Sequence, residues 1–76
     1  MKFKIKFQGK VYTVVIREWH PDLNEVMSVQ ETIDCFKEFF FGARSAGYGV
    51  QRSIALAQRE TNDQIHEANS YQSFWK

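Results

Sequence analysis

The sequence predicts an α+β domain: an N-terminal antiparallel β-hairpin, with room for a third short strand, packed against two antiparallel α-helices. Three observations carry this. Residues 2–7, KFKIKF, alternate lysine with apolar residues at period two, the pattern of a half-buried strand. Val29, Ile33, Phe36 and Phe40 follow at spacings of four, three and four, which is one apolar stripe of a helix. Val50, Ile54, Ala57, Thr61, Ile65 and Ala68 repeat that spacing in a second segment.

Each element has local support. Gln8-Gly9 is a two-residue turn, because glycine supplies the positive φ that hairpin turns need. With that turn Phe7 faces Lys10, Ile5 faces Tyr12 and Phe3 faces Val14. The core side is then Phe3, Ile5, Phe7, Tyr12, Val14 and Ile16, with Lys2, Lys4 and Lys6 outward. Val11, Thr13 and Val15 lie on that outer face too, which leaves it open to partial cover by a partner chain. His20-Pro21-Asp22 marks a connection, since the residue before proline avoids the helical region. Residues 22–27 are compatible with a short strand or a single helical turn. Ser28-Val-Gln-Glu31 reads as a capping box that opens the first helix. Gly42 reads as its stop. Asn69-Ser70 breaks the second helical pattern ahead of the aromatic tail YQSFWK.

Length and composition exclude several classes. With 76 residues the chain is a single small domain. Its one cysteine, Cys35, allows no internal disulfide and fits a reducing cytoplasm. No signal peptide is expected from the alternating start, and no apolar run approaches the roughly 20 residues of a membrane span. The net charge of +1 is uninformative, but its distribution is not. Residues 1–17 hold Lys2, Lys4, Lys6, Lys10 and Arg17 and no acid, whereas residues 18–38 hold six acids against Lys37 alone.

No catalytic or metal-binding motif is present. His20 and His66 are far apart, and Cys35 sits mid-helix, where a small buried residue is the default. The glycine-rich stretch FFFGARSAGYG (39–49) lacks the Gly-Lys-Ser/Thr ending of a phosphate loop. It also lacks the third glycine of a dinucleotide fingerprint, which falls at Arg52. It reads as an elbow between helices. Its aromatic content exceeds that role: Phe39, Phe40 and Phe41 span about 200° of helix surface, against an apolar face little wider than 100°. Aromatic residues make up 16% of the chain, and some of Trp19, Phe39, Phe41, Tyr48, Tyr71, Phe74 and Trp75 are expected at the surface. Exposed aromatics beside arginine mark interface hot spots. The expected partner-binding surface is Arg44, Tyr48, Phe39, Trp19 and the strand lysines Lys2, Lys4 and Lys6. The lysine face alone suits the phosphate backbone of a nucleic acid. A homodimer through the outer face of the second strand, or through the phenylalanine-rich helix end, is a further expectation.

Residues 34–62 resemble a phage anti-CRISPR family that blocks type I-F CRISPR surveillance complexes. The resemblance is carried by a capped helix ending in Phe40-Phe41-Gly42, then Ala46-Gly47-Tyr48-Gly49, then a helix with Val50, Ile54 and Ala57. It covers roughly 30 of the 76 residues, and the Met-Lys-Phe start and chain length are similar. The resemblance implies a four-stranded antiparallel sheet on two helices, and inhibition by occupying the backbone subunits of the RNA-guided complex. Only about 28 residues precede the first helix here, enough for two or three strands. The family's contacts lie on its sheet, and none is matched to a position in this chain. The expected function is therefore a non-enzymatic, cofactor-free inhibitor that occludes a larger host protein or ribonucleoprotein complex in the host cytoplasm. The alternative is a nucleic-acid-binding module using the basic hairpin face.

Overall fold

The computed structural model describes residues 1–75, with side chains through residue 70. Strands β1 (Lys2–Phe7) and β2 (Lys10–Val15) form an antiparallel hairpin. A short 3₁₀ turn (Pro21–Leu23) leads to helix α1 (Val29–Ser45), and a tight loop leads to helix α2 (Val50–Trp75). This is the α+β hairpin-and-two-helix arrangement that the periodicities predict. The segment after Pro21 forms helical turns, with no third strand among the described residues. The two-stranded sheet is half the size that the anti-CRISPR resemblance implies. Residues 69–70 do not end α2, which runs on to Trp75 because Asn and Ser weaken a helix without blocking it. The side chains of Tyr71, Phe74 and Trp75 lie outside the described residues.

The hairpin has the expected register: Phe3 opposite Val14, Ile5 opposite Tyr12, Phe7 opposite Lys10. Gln8 (φ 52°) and Gly9 (φ 79°) both occupy the left-handed region, as a type I′ turn requires. The ladder extends one pair further, where Met1 and Ile16 exchange hydrogen bonds at 2.8 and 2.9 Å. The inner face carries the core. Val14, Ile16, Phe36, Phe40, Ile54, Ala57 and Ile65 are buried. Phe3, Ile5, Phe7 and Tyr12 pack against that cluster from the sheet.

Helix α1 starts at its predicted cap, where the Ser28 hydroxyl accepts the Glu31 N–H at 3.1 Å. Its buried stripe departs from the expectation. Val29 is 42% exposed, whereas Thr32 is fully buried. Thr32 is tolerated there because its hydroxyl donates to the Ser28 carbonyl at 2.9 Å. The helix also passes through Gly42 and stops later, at Gly47 (φ +97°). There the Gly47 N–H bonds to the Arg44 carbonyl (3.0 Å) and the Tyr48 N–H to the Ala43 carbonyl (3.1 Å). These two bonds make a Schellman motif with Gly47 at its left-handed position. Glycine inside a helix costs only about 1 kcal/mol, so Gly42 does not terminate it.

Helix α2 lies beside α1 and reaches the far edge of the sheet. The Val15 N–H donates to Gln58 Oε1 (3.0 Å), and the Glu18 N–H to Asn62 Oδ1 (3.0 Å). Two α2 side chains on the helix's polar part thus take up backbone donors at the end of β2. Among the described residues no helix is long and apolar enough to cross a membrane.

Two substitutions test this account by urea denaturation. Phe36→Ala is expected to cost about 3–5 kcal/mol, a large part of the roughly 4–11 kcal/mol that a chain of this size supports. Gln8→Asn is expected to raise stability by about 0.5 kcal/mol, because asparagine tolerates the left-handed region better than glutamine.

Candidate partner-binding surface

Alternation along β1 places Lys2, Lys4 and Lys6 on the outer face of the sheet, all exposed. Successive lysines there stand about 6.6 Å apart, two residues of strand rise. Opposite them on β2 lie Val15, Thr13 and Val11, and no acid. Val11 is 61% exposed. The outer face is therefore a row of cations beside a row of apolar and hydroxyl side chains.

Backbone pairing defines which edges are open. Because Met1 and Ile16 exchange both hydrogen bonds, alternation makes 3–14, 5–12 and 7–10 the other bonded pairs. The N–H and C=O groups of Lys2, Lys4 and Lys6 consequently point away from β2, along the free edge of β1. Val11, Thr13 and Val15 point from the opposite edge, where Gln58 takes the Val15 donor. A groove of about 180 Å³ runs along the β1 side, between the strand and α1. Its apolar lining is Ile5, Phe7, Phe40 and Phe41, and its charged lining is Lys4, Lys6 and Lys37.

The three consecutive phenylalanines divide as helical geometry requires. Phe40 is buried, Phe39 is half-buried against the core, and Phe41 is 52% exposed. The Phe41 ring meets Phe7 edge-on at 6.3 Å and Phe40 at 5.3 Å, so it forms the rim of the β1 groove.

Arg44 is held within the molecule. Its Nη1 donates to the Tyr48 carbonyl at 2.6 Å, and its guanidinium sits 5.5 Å from the centre of the Phe7 ring. It ties the Schellman loop to the hairpin. Tyr48 is 41% exposed, and the Arg52 guanidinium lies 5.2 Å from its ring centre. Trp19 is half-buried, and its indole N–H donates to the Met27 carbonyl at 2.8 Å, which pins the connection before α1.

The expected surface residues thus fall into separate groups. Lys4 and Lys6 share the β1 groove, and Lys2 continues their row at the free edge. Arg44 and Tyr48 meet at the loop. Trp19 and Phe39 pack against the core. Sequence reasoning missed Lys37 and Arg52 and named Phe41 only among the aromatics of which some were expected at the surface. A helical wheel centred on Phe40 carries the signal for Lys37 and Phe41, which both lie on its hairpin side. Glu31 and Glu38 lie on the wheel's far side, whereas Asp34 falls beside Phe41 on the flank that carries Lys37.

Cys35 is half-buried on the side of α1 that faces α2. Burial pushes its thiol above the usual range, opposed by the Thr61 hydroxyl and reinforced by the Glu38 carboxylate. A raised thiol is a poor nucleophile at neutral pH. Among the described residues no group of three or more His, Cys, Asp or Glu side chains converges.

Loss of the Arg44 contacts is expected to act on stability: Arg44→Ala should lower it by about 1–2 kcal/mol, read from denaturant midpoints. Comparison with known proteins gives no relative on which to map these groups: no family model, no curated protein and no solved structure matches the chain.

Proposed function

We propose that this protein is a small non-enzymatic inhibitor that binds a larger host complex through the outer face and free edge of its hairpin and occludes it sterically. The observation that carries the reading is the β1 surface. Lys2, Lys4 and Lys6 line one exposed face, and Lys37 and the exposed Phe41 ring border the groove beside it. Cations around an apolar floor, beside an exposed aromatic ring, suit a protein interface with an acidic partner. The resemblance of residues 34–62 to a phage anti-CRISPR family gives the concrete version, a block of a type I-F CRISPR surveillance complex.

The test is a gel-shift assay of target-DNA binding by a purified type I-F surveillance complex, with and without the protein. Inhibition with co-migration of protein and complex is expected. Lys4→Glu should weaken it on the order of tenfold, because a reversed charge opposes the same partner surface. Unaltered DNA binding at saturating protein rejects the anti-CRISPR version.

The same lysine row favours a second reading, a module that binds single-stranded nucleic acid. Phe41 and Tyr48 would add stacking surfaces. In that case log affinity for oligo-dT falls against log salt with a slope of about −2 to −3, as three or four neutralised phosphates require. Absence of oligo-dT binding at low salt eliminates this reading.

A further inference from the structure

From the free edge of β1 and the groove beside it, we infer that the protein binds an extended acidic peptide segment of its partner as a third strand. This deepens the inhibitor reading and rests on it for the identity of the partner. Four observations fix the occupant.

The edge offers what a strand needs. Lys2, Lys4 and Lys6 direct their N–H and C=O groups outward, and no element of the described residues pairs with them. Three residues of unpaired backbone match the footprint of strand addition, in which main-chain bonds supply affinity and side-chain pockets supply specificity. The second observation is asymmetry between the edges. The β2 edge is closed at Val15 by Gln58, and the nearby Glu18 N–H is held by Asn62. Among the described residues the β1 edge has no such cap.

The third observation is the groove itself. An incoming strand lies about 4.8 Å from β1, over the space between the strand and α1. Its side chains alternate between the sheet's two faces. Those on the inner side meet Phe7, Phe40 and Phe41, which favours apolar residues there. Those on the outer side stand next to Lys2, Lys4 and Lys6, where opposite charges on neighbouring strands attract and like charges repel.

The fourth observation separates an acidic strand from a second copy of this chain. Pairing β1 with another β1 antiparallel sets lysines against lysines, so the row that admits an acidic strand repels its own kind. Edge lysines commonly serve only as this kind of guard. Here they also border an apolar groove, which a guard does not need.

The experiment is a ¹⁵N–¹H NMR titration of the whole chain. The probe is a soluble, end-blocked peptide of about eight residues alternating glutamate and valine, with a lysine–valine peptide as control. Binding of the acidic peptide alone is expected. The amides of Lys2, Lys4 and Lys6 should shift and exchange more slowly, while those of Phe3 and Ile5, already bonded to β2, stay protected throughout. Lys4→Glu should weaken binding on the order of tenfold. Lys4→Pro removes one outward donor at a position where an edge strand accepts proline, and should abolish the added protection. A melting curve confirms that each variant is folded.

No shift at millimolar peptide overturns the inference. So does peptide binding that Lys4→Pro leaves intact, which makes the contact one of charge alone. So does oligo-dT, or self-association, occupying the same amides in place of the peptide. Failure of the two readings is distinguishable. Peptide binding without inhibition of the surveillance complex rejects that target and keeps the edge. Inhibition that survives Lys4→Pro keeps the target and rejects strand addition.

Discussion

A two-stranded hairpin does not stand alone in water, so this sheet depends on what covers its inner face. The cover is a set of four phenylalanine rings. Phe3 meets Phe36 edge-on at 5.4 Å, and Phe7 meets Phe40 edge-on at 5.1 Å. Phe36 and Phe40 stack along α1 at 6.1 Å. Each ring from the strand therefore seats against a ring one turn apart on the helix. Edge-to-face pairs of this kind contribute about 0.5–1.5 kcal/mol beyond the area they bury. They also fix direction. Because strand residues alternate, seating Phe3 and Phe7 inward forces Lys2, Lys4 and Lys6 outward. The basic face is a consequence of the aromatic packing as much as of the lysines themselves.

That coupling gives the molecule two unlike sides. The lysine row and the β1 groove share one side, bordered by Lys37 and Phe41. Glu31 and Glu38 occupy the back of α1, away from the hairpin. A net charge of +1 thus conceals an uneven surface, with three lysines in a row along β1 and no acid opposite them on β2. The exposed ring of Phe41 sets apolar area next to those charges.

Much of this was legible in the sequence. Period-two alternation and a Gln-Gly turn set the hairpin register pair by pair, because both signals are local. Ser28 announced its cap for the same reason. The errors have physical causes. Gly42 resembled a stop, but only the left-handed φ at Gly47 ends the helix, and residue type does not reveal φ. Thr32 looked polar, yet a bond to a carbonyl four residues back lets it enter the core. Trp19 looked available because sequence does not show that its indole N–H is already taken, and Arg44 because sequence does not show that its guanidinium lies against Phe7 and the Tyr48 carbonyl. The bonds of Gln58 and Asn62 left no local signal, since their partners lie 43 and 44 residues away.

Those two long-range bonds also say how the chain comes together in time. The hairpin closes through two residues, and the helix pair closes through the loop capped at Gly47; both are short reversals that form without a long search. Docking Gln58 and Asn62 onto the end of β2 spans a greater chain separation than any other side-chain hydrogen bond described and joins polar groups near the surface. Such a contact forms late and opens early, so the seam between β2 and α2 is where the native molecule should breathe.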